Sequence, residues 1–367
     1  MNRGNPGPGS PAALRASPSA APGASRPFVA WDRKAANQRP RGREPDARGR
    51  AELGRGEPSA DEPTASGAGN PPDGFPDIEL YTLVMARVST LLSAIKFSHT
   101  IFAMPFALLS AVLAARGVPP GRTLFWIVVA MVGARSAAMA FNRIVDRDLD
   151  AKNPRTAVRE IPAGKLSVGA AAVFTGLSAV LFVVAAAQLN RLCLFLSPVA
   201  LVLVLGYSFT KRFTASAHVV LGLCLAIAPV GAWIAVTGRL ALVPVLLGLS
   251  VLFWVAGFDV IYSLQDEAFD RKEGLRSIPV ALGGRRALAI SALFHAATLA
   301  LLYGVFVAAA GGVAFGVGVV LAGLFLVRQH AIVSPTDLSR VDAAFFTANG
   351  WLSVVVFACG ALDVLLR

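Results

Sequence analysis

The chain has 367 residues, of which 55% are apolar, with a formal charge of +12 and a mean hydropathy of +0.62. That apolar share exceeds what soluble domains carry, so a bilayer is the expected solvent. The positive charge would suggest nucleic acid in a soluble protein, but most Lys and Arg fall in the amino-terminal tail or in short connections between apolar runs, which points to orientation in a membrane and no nucleic-acid partner.

Residues 1–76 are dominated by Arg, Pro, Gly, Ala and Ser, a composition that cannot bury enough surface to order itself, and they are expected to form a disordered tail. Phe28, Val29 and Trp31 are too few to make the core of a secretory signal, and Met85 offers an alternative start that would remove the tail. Residues 77–367 form the expected transmembrane domain. Nine apolar runs of membrane-spanning length follow, at about 97–116, 124–145, 168–188, 191–210, 217–237, 240–264, 286–309, 312–328 and 345–365. The eighth is short and Gly-rich, and only a tight turn at Asn190 and Arg191 separates the third from the fourth, so eight spans remain an alternative. No run alternates apolar and polar residues as a barrel strand does. The predicted fold is an all-α membrane protein, a bundle of about nine helices.

Charge in the connections tests the count. The loops after the second, fourth, sixth and eighth spans and their edges hold fifteen Lys and Arg, among them Arg147, Lys152, Lys165, Arg212, Lys272 and Arg340, against Arg116, Arg122, Arg191 and Arg239 in the others. Cytoplasmic loops carry that excess, which places the amino terminus and the even loops in the cytoplasm of an inner-membrane protein. Cys193, Cys224 and Cys359 lie inside apolar runs without paired spacing and read as packing residues.

Two acidic clusters close the second and sixth spans. Asn142, Asp146 and Asp150 recur at every fourth position, and Asp259, Asp266 and Asp270 fall seven and four apart, so each set shares a helical stripe. Four crossings separate the two spans, so both clusters emerge on the same face. Carboxylates near a bilayer are costly and normally face a cavity with a job to do. Facing carboxylates offer the hard oxygen ligands that Mg2+ prefers, leaving positions for substrate phosphates. Asp148 and Glu267 point off the stripes and read as solvated loop acids. His218, His295 and His330 show no zinc spacing and read as packing or solvent-facing residues.

Asn142-x-x-x-Asp146-x-x-x-Asp150 with Arg155-Thr156-x-x-Arg159 resembles the first signature of the UbiA prenyltransferase superfamily. Gln265-Asp266-x-x-x-Asp270 with Gly274-Leu275-Arg276-Ser277 resembles the second, and Tyr207-Ser208-Phe209-Thr210-Lys211-Arg212 is similar to the family's Tyr-x-x-x-Lys-Arg segment. Arg276 stands where many members carry Lys, and Phe258, where many carry Tyr, is expected to alter the pocket wall. The resemblance spans about 91–365 and is strongest to the 4-hydroxybenzoate polyprenyltransferase type.

It implies that Asp146 and Asp150 hold one Mg2+ and Asp266 and Asp270 a second, with Asn142 assisting. A polyprenyl diphosphate would bridge them, and Arg155, Arg159, Lys211 and Arg276 would meet its charge. Tyr207 and Tyr262 are candidates to steady an allylic cation or to anchor the interface. Asp259 would orient or deprotonate the hydroxyl of an aromatic acid acceptor, and Lys96 either meets the acceptor's carboxylate or snorkels at the boundary. Prenylation of a dihydroxynaphthoate is the alternative within the family, and a secondary transporter with a cation-linked acidic site is the alternative outside it.

Overall fold

A computed structural model describes residues 102–367; the predicted tail, Lys96, His99 and the start of the first span lie outside the described residues. The described residues contain no β-strand, only an isolated bridge between Ser334 and Asp337. In chain order the main helices are α1 (Ala103–Ala115), α2 (Gly121–Val145), α3 (Arg147–Lys152), α4 (Val168–Leu189), α5 (Arg191–Gly206), α6 (Ala217–Thr237) and α7 (Leu242–Ser263). They continue as α8 (Glu267–Lys272), α9 (Ile278–Leu282), α10 (Gly284–Ala308), α11 (Val313–Ala331) and α12 (Asn349–Leu365). Eight helical segments are long and apolar enough to cross a membrane, and α1 adds a ninth apolar helix of 13 residues. Each predicted run has its helix, including the short eighth as α11.

The segments are helical because their apolar runs would otherwise expose backbone polar groups to hydrocarbon, which an α-helix satisfies internally. Caps and glycines set where they stop. Asn190 ends α4 in an extended conformation, and its carboxamide oxygen accepts the Cys193 N–H at 2.9 Å while its Nδ2 donates to the Ile234 carbonyl of α6 at 2.7 Å. The predicted tight turn is therefore also a tie to a neighbouring span.

Helix α7 is the centre of the bundle, packed between α6 and α10, while α2 lies along α4, α1 along α6 and α12, and α11 along α12. Trp254, Phe258, Val251 and Leu247 of α7 are buried against Phe106 and Leu109 of α1 and against Leu352 and Val356 of α12. The Trp254 indole donates to the Asn349 side chain at 2.9 Å, satisfying a polar group that burial would otherwise strand. Outward-facing Phe195, Val199, Leu293 and Trp351 present the apolar surface that lipid covers. Phe258 lies in an aromatic cluster with Phe102, Trp254 and Phe345 and lines neither cavity described below. The expectation that it alters the pocket wall is corrected, because α7 turns that position into the core.

Candidate active site

Both acidic clusters sit where a long helix gives way to a short one. Helix α2 ends at Val145, but Asp146 N–H still reaches the Asn142 carbonyl at 2.9 Å and Asp150 N–H the Asp146 carbonyl at 2.7 Å, so the four-residue stripe survives the break. Helix α7 passes through one tight turn, Leu264–Asp266, before α8. The chain from Tyr207 to Arg212, also a tight helical turn, enters from the end of α5.

These three breaks enclose a polar cavity of about 210 Å³, lined by Asn142, Asp146, Asp150, Arg155, Arg159, Tyr207, Lys211, Arg212, Asp259, Tyr262, Asp266 and Asp270. Asp150, Asp266 and Asp270 are buried. Nearly all the predicted site residues therefore meet in one place. Arg276 stands apart: its side chain is exposed and donates to the Phe213 carbonyl at 2.7 Å, while its backbone N–H donates to the Lys211 carbonyl at 2.8 Å. It fastens the second acidic loop to the Lys211 turn and does not line the cavity. Asp148 is exposed, and Glu267 accepts from Arg271 at 3.0 Å, in keeping with loop acids.

Arginines neutralise most of this acid. The Arg159 guanidinium grips both Asp150 oxygens at 2.7 and 2.9 Å. Arg155 donates to the two oxygens of Asp266 at 3.1 and 2.5 Å and to the Tyr262 hydroxyl at 3.0 Å. Arg212 donates to Asp146 at 3.1 Å, and Asn142 Nδ2 to its other oxygen at 2.9 Å. Burial raises the Asp146 carboxyl above its ordinary value, with Arg212 opposing. For Arg155 burial acts downward, but Asp266 and Tyr262 outweigh it and hold the guanidinium above its usual range. Lys211 lines the cavity beside both clusters, and its charge opposes the upward push of burial on Asp146 and Asp270.

The donor set fits a hard divalent cation. Five carboxylates line one small cavity, and Asp270 Oδ2 is buried with no hydrogen-bond partner among the described residues, a costly state unless a cation completes it. No three acidic, His or Cys side chains among the described residues already stand together as a metal cluster, since the arginines hold three of the carboxylates.

A second cavity, of about 700 Å³ and mostly apolar, runs among α2, α4, α5, α6 and α7 and shares Asn142, Arg155, Arg159, Tyr207 and Tyr262 with the polar one. Arg135 of α2 lines it, with Nε buried and lacking a hydrogen-bond partner among the described residues. Its signal in the sequence is a lone cation midway along an apolar span. His218, expected to pack or face solvent, is fully buried at the start of α6 and places Nδ1 2.6 Å from Asp259 Oδ2.

The UbiA prenyltransferase family model matches residues 103–352. The chain is 35% identical over 257 residues to the 4-hydroxybenzoate octaprenyltransferase of Nitrosomonas europaea, covering 70% of this chain and 87% of that one, and 34% identical over 249 residues to the enzyme of the same name from Tolumonas auensis, covering 67% and 85%. The apo structure of a UbiA homolog from Aeropyrum pernix K1 superposes with a TM-score of 0.67 at 36% identity over 73% of this chain and 98% of its own. A UbiA homolog from Archaeoglobus fulgidus, solved with DMAPP and Mg2+, shares the fold at a TM-score of 0.60 and 21% identity over 75% and 99%. The match covers the segment that carries all three breaks and both cavities, and the transporter reading gives way: the chain belongs to the UbiA prenyltransferase family and is a membrane-embedded prenyltransferase.

Proposed function

We propose that this enzyme transfers a polyprenyl group from its diphosphate to 4-hydroxybenzoate in a Mg2+-dependent reaction at the cytoplasmic face of the inner membrane. The observation that carries the reading is the contiguity of a small cavity rich in acid and base with a large apolar one, sharing five residues at their junction. A diphosphate head belongs in the first and its oily tail in the second. Asp146, Asp150, Asp266 and Asp270, with Asn142 beside them, would hold Mg2+, which when bound supplies positive charge against the departing pyrophosphate. Arg155 and Arg159 at the junction, with Lys211 and Arg212 behind them, receive the same charge with preorganised donors.

The C–O bond then breaks where the two cavities meet, and the apolar lining of the larger cavity keeps water from the resulting cation. Arg155 lies 5.3 Å from the centre of the Tyr262 ring and Phe345 packs at 4.2 Å, which leaves Tyr207 as the tyrosine better placed to face a cation. Asp259, at the wall of the polar cavity, takes up the proton that the aromatic ring or its hydroxyl gives up. Arg135, whose buried Nε has no hydrogen-bond partner among the described residues, suits the acceptor's carboxylate, one of the two roles weighed for Lys96. The names of the relatives, 4-hydroxybenzoate octaprenyltransferases, support the same acceptor. The excess of Lys and Arg on the site's side of the bundle supports a cytoplasmic opening, with residues 1–76 as a tail outside the membrane domain.

The test is incubation of membranes containing the enzyme with labelled polyprenyl diphosphate and equal concentrations of 4-hydroxybenzoate and a dihydroxynaphthoate. Label is expected in prenylated hydroxybenzoate. Label only in the naphthoate product would overturn the acceptor while keeping the reaction class.

A further inference from the structure

We infer that His218 is a positioning residue that holds Asp259 ready to accept a proton, a role that rests on the reading of Asp259 as the base. Prenylation at a ring carbon forms one C–C bond and breaks the C–O bond to the diphosphate, which leaves with the bonding pair. The proton displaced from the ring must go to a base inside a site that excludes water. Asp259 lines the polar cavity and accepts a hydrogen bond through Oδ2 alone; no donor among the described residues reaches Oδ1.

The ring of His218 fixes that arrangement. It is fully buried, and its Nε2 accepts the backbone N–H of Ile278 at 3.4 Å. With the Nε2 lone pair engaged, the single proton of a neutral imidazole lies on Nδ1, where it is donated to Asp259 Oδ2 at 2.6 Å. One carboxylate oxygen is thereby pinned and the other left for the substrate. The anchor has a rigid origin, because Ile278 opens α9 beneath Ser277, whose side chain caps that helix by accepting from Val280 N–H. Other groups acting on the pair are Tyr207, which feels Asp259, and Asp270, which feels His218. Neither hydrogen-bonds Asp259, so among the described residues His218 alone orients it.

The experiment compares three variants by steady-state kinetics in detergent. His218→Gln keeps an acceptor for Ile278 but removes the donor near Asp259, whereas His218→Asn places an amide N–H where Nδ1 stood. H218Q is expected to lose kcat by at least about tenfold with KM for the prenyl diphosphate within twofold, and H218N to recover most of the loss. H218Q at wild-type kcat, or H218N as impaired as H218Q, overturns the role. Asp259→Asn separates the two layers of argument: an inactive D259N beside an unimpaired H218Q removes only the part given to His218, while D259N at wild-type kcat removes the base itself.

Discussion

Among the described glycines, Gly222 of α6 leaves the least room for a side chain, and replacing it tests how the central helix is held. A Cβ built there would lie 2.2 Å from the Leu252 carbonyl oxygen of α7, about 1 Å inside an ordinary contact of 3.4 Å. The obstructing atom is backbone, so no rotamer change relieves it and the helices must part. Overpacking of this kind costs about 1–3 kcal/mol, occasionally more, and for a domain of a few hundred residues each kcal/mol is worth about 2–4 °C. Gly222→Ala should therefore lower the thermal midpoint in detergent by roughly 2–12 °C. Gly231, further along the same helix, has nothing within 4 Å of a built Cβ, and Gly231→Ala should hold or raise the midpoint because Ala favours the helix by up to about 1 kcal/mol. Because α7 carries Asp259 and Tyr262 and leads into Asp266, a shift of that helix also moves the site, and a 1 Å misplacement can cost about a hundredfold in rate. A Gly222→Ala protein with an undiminished midpoint would refute the close approach of α6 and α7 on which this reasoning stands.

Three further outcomes follow from the site. Asp146→Ala and Asp266→Ala should each abolish prenyl transfer while the protein still elutes as a folded species from gel filtration, and full activity in both would defeat the metal assignment. Chelation should remove activity and added Mg2+ restore it; turnover that persists in excess chelator contradicts the divalent-ion reading. Arg135→Leu should raise KM for 4-hydroxybenzoate about 10- to 100-fold, the value of a charged hydrogen bond of about 1.5–3 kcal/mol, with KM for the prenyl diphosphate unchanged. An equal rise for both substrates would place Arg135 in general packing.

The parts of this enzyme that the sequence made legible are those written in one stretch of chain. Span lengths follow from bilayer thickness: the second to ninth runs are helices close to the predicted limits, and the first is helical over Ala103–Ala115 among the described residues. The acidic stripes were readable because a four-residue period survives even where α2 breaks after Val145, the hydrogen bonds to Asn142 and Asp146 carrying the register through. What escaped was whatever depends on which span lies beside which. His218 and Asp259 are 41 positions apart, and nothing in either neighbourhood announces the other until α6 and α7 pack at Gly222. Arg276 followed a motif, yet its backbone N–H meets the Lys211 carbonyl and its guanidinium the Phe213 carbonyl, so its charge is turned to the end of the Lys211 turn and away from the cavity. Phe258 shows the converse: a departure inside a motif that would alter a pocket only if α7 faced it the other way, whereas the helix buries that position among Phe102, Trp254 and Phe345. Motif spacing fixes where an acid sits along its own helix, but the partner that neutralises or aims it comes from the neighbour across the groove. That is why Arg155 with Asp266, Arg212 with Asp146 and His218 with Asp259 are properties of the packed bundle.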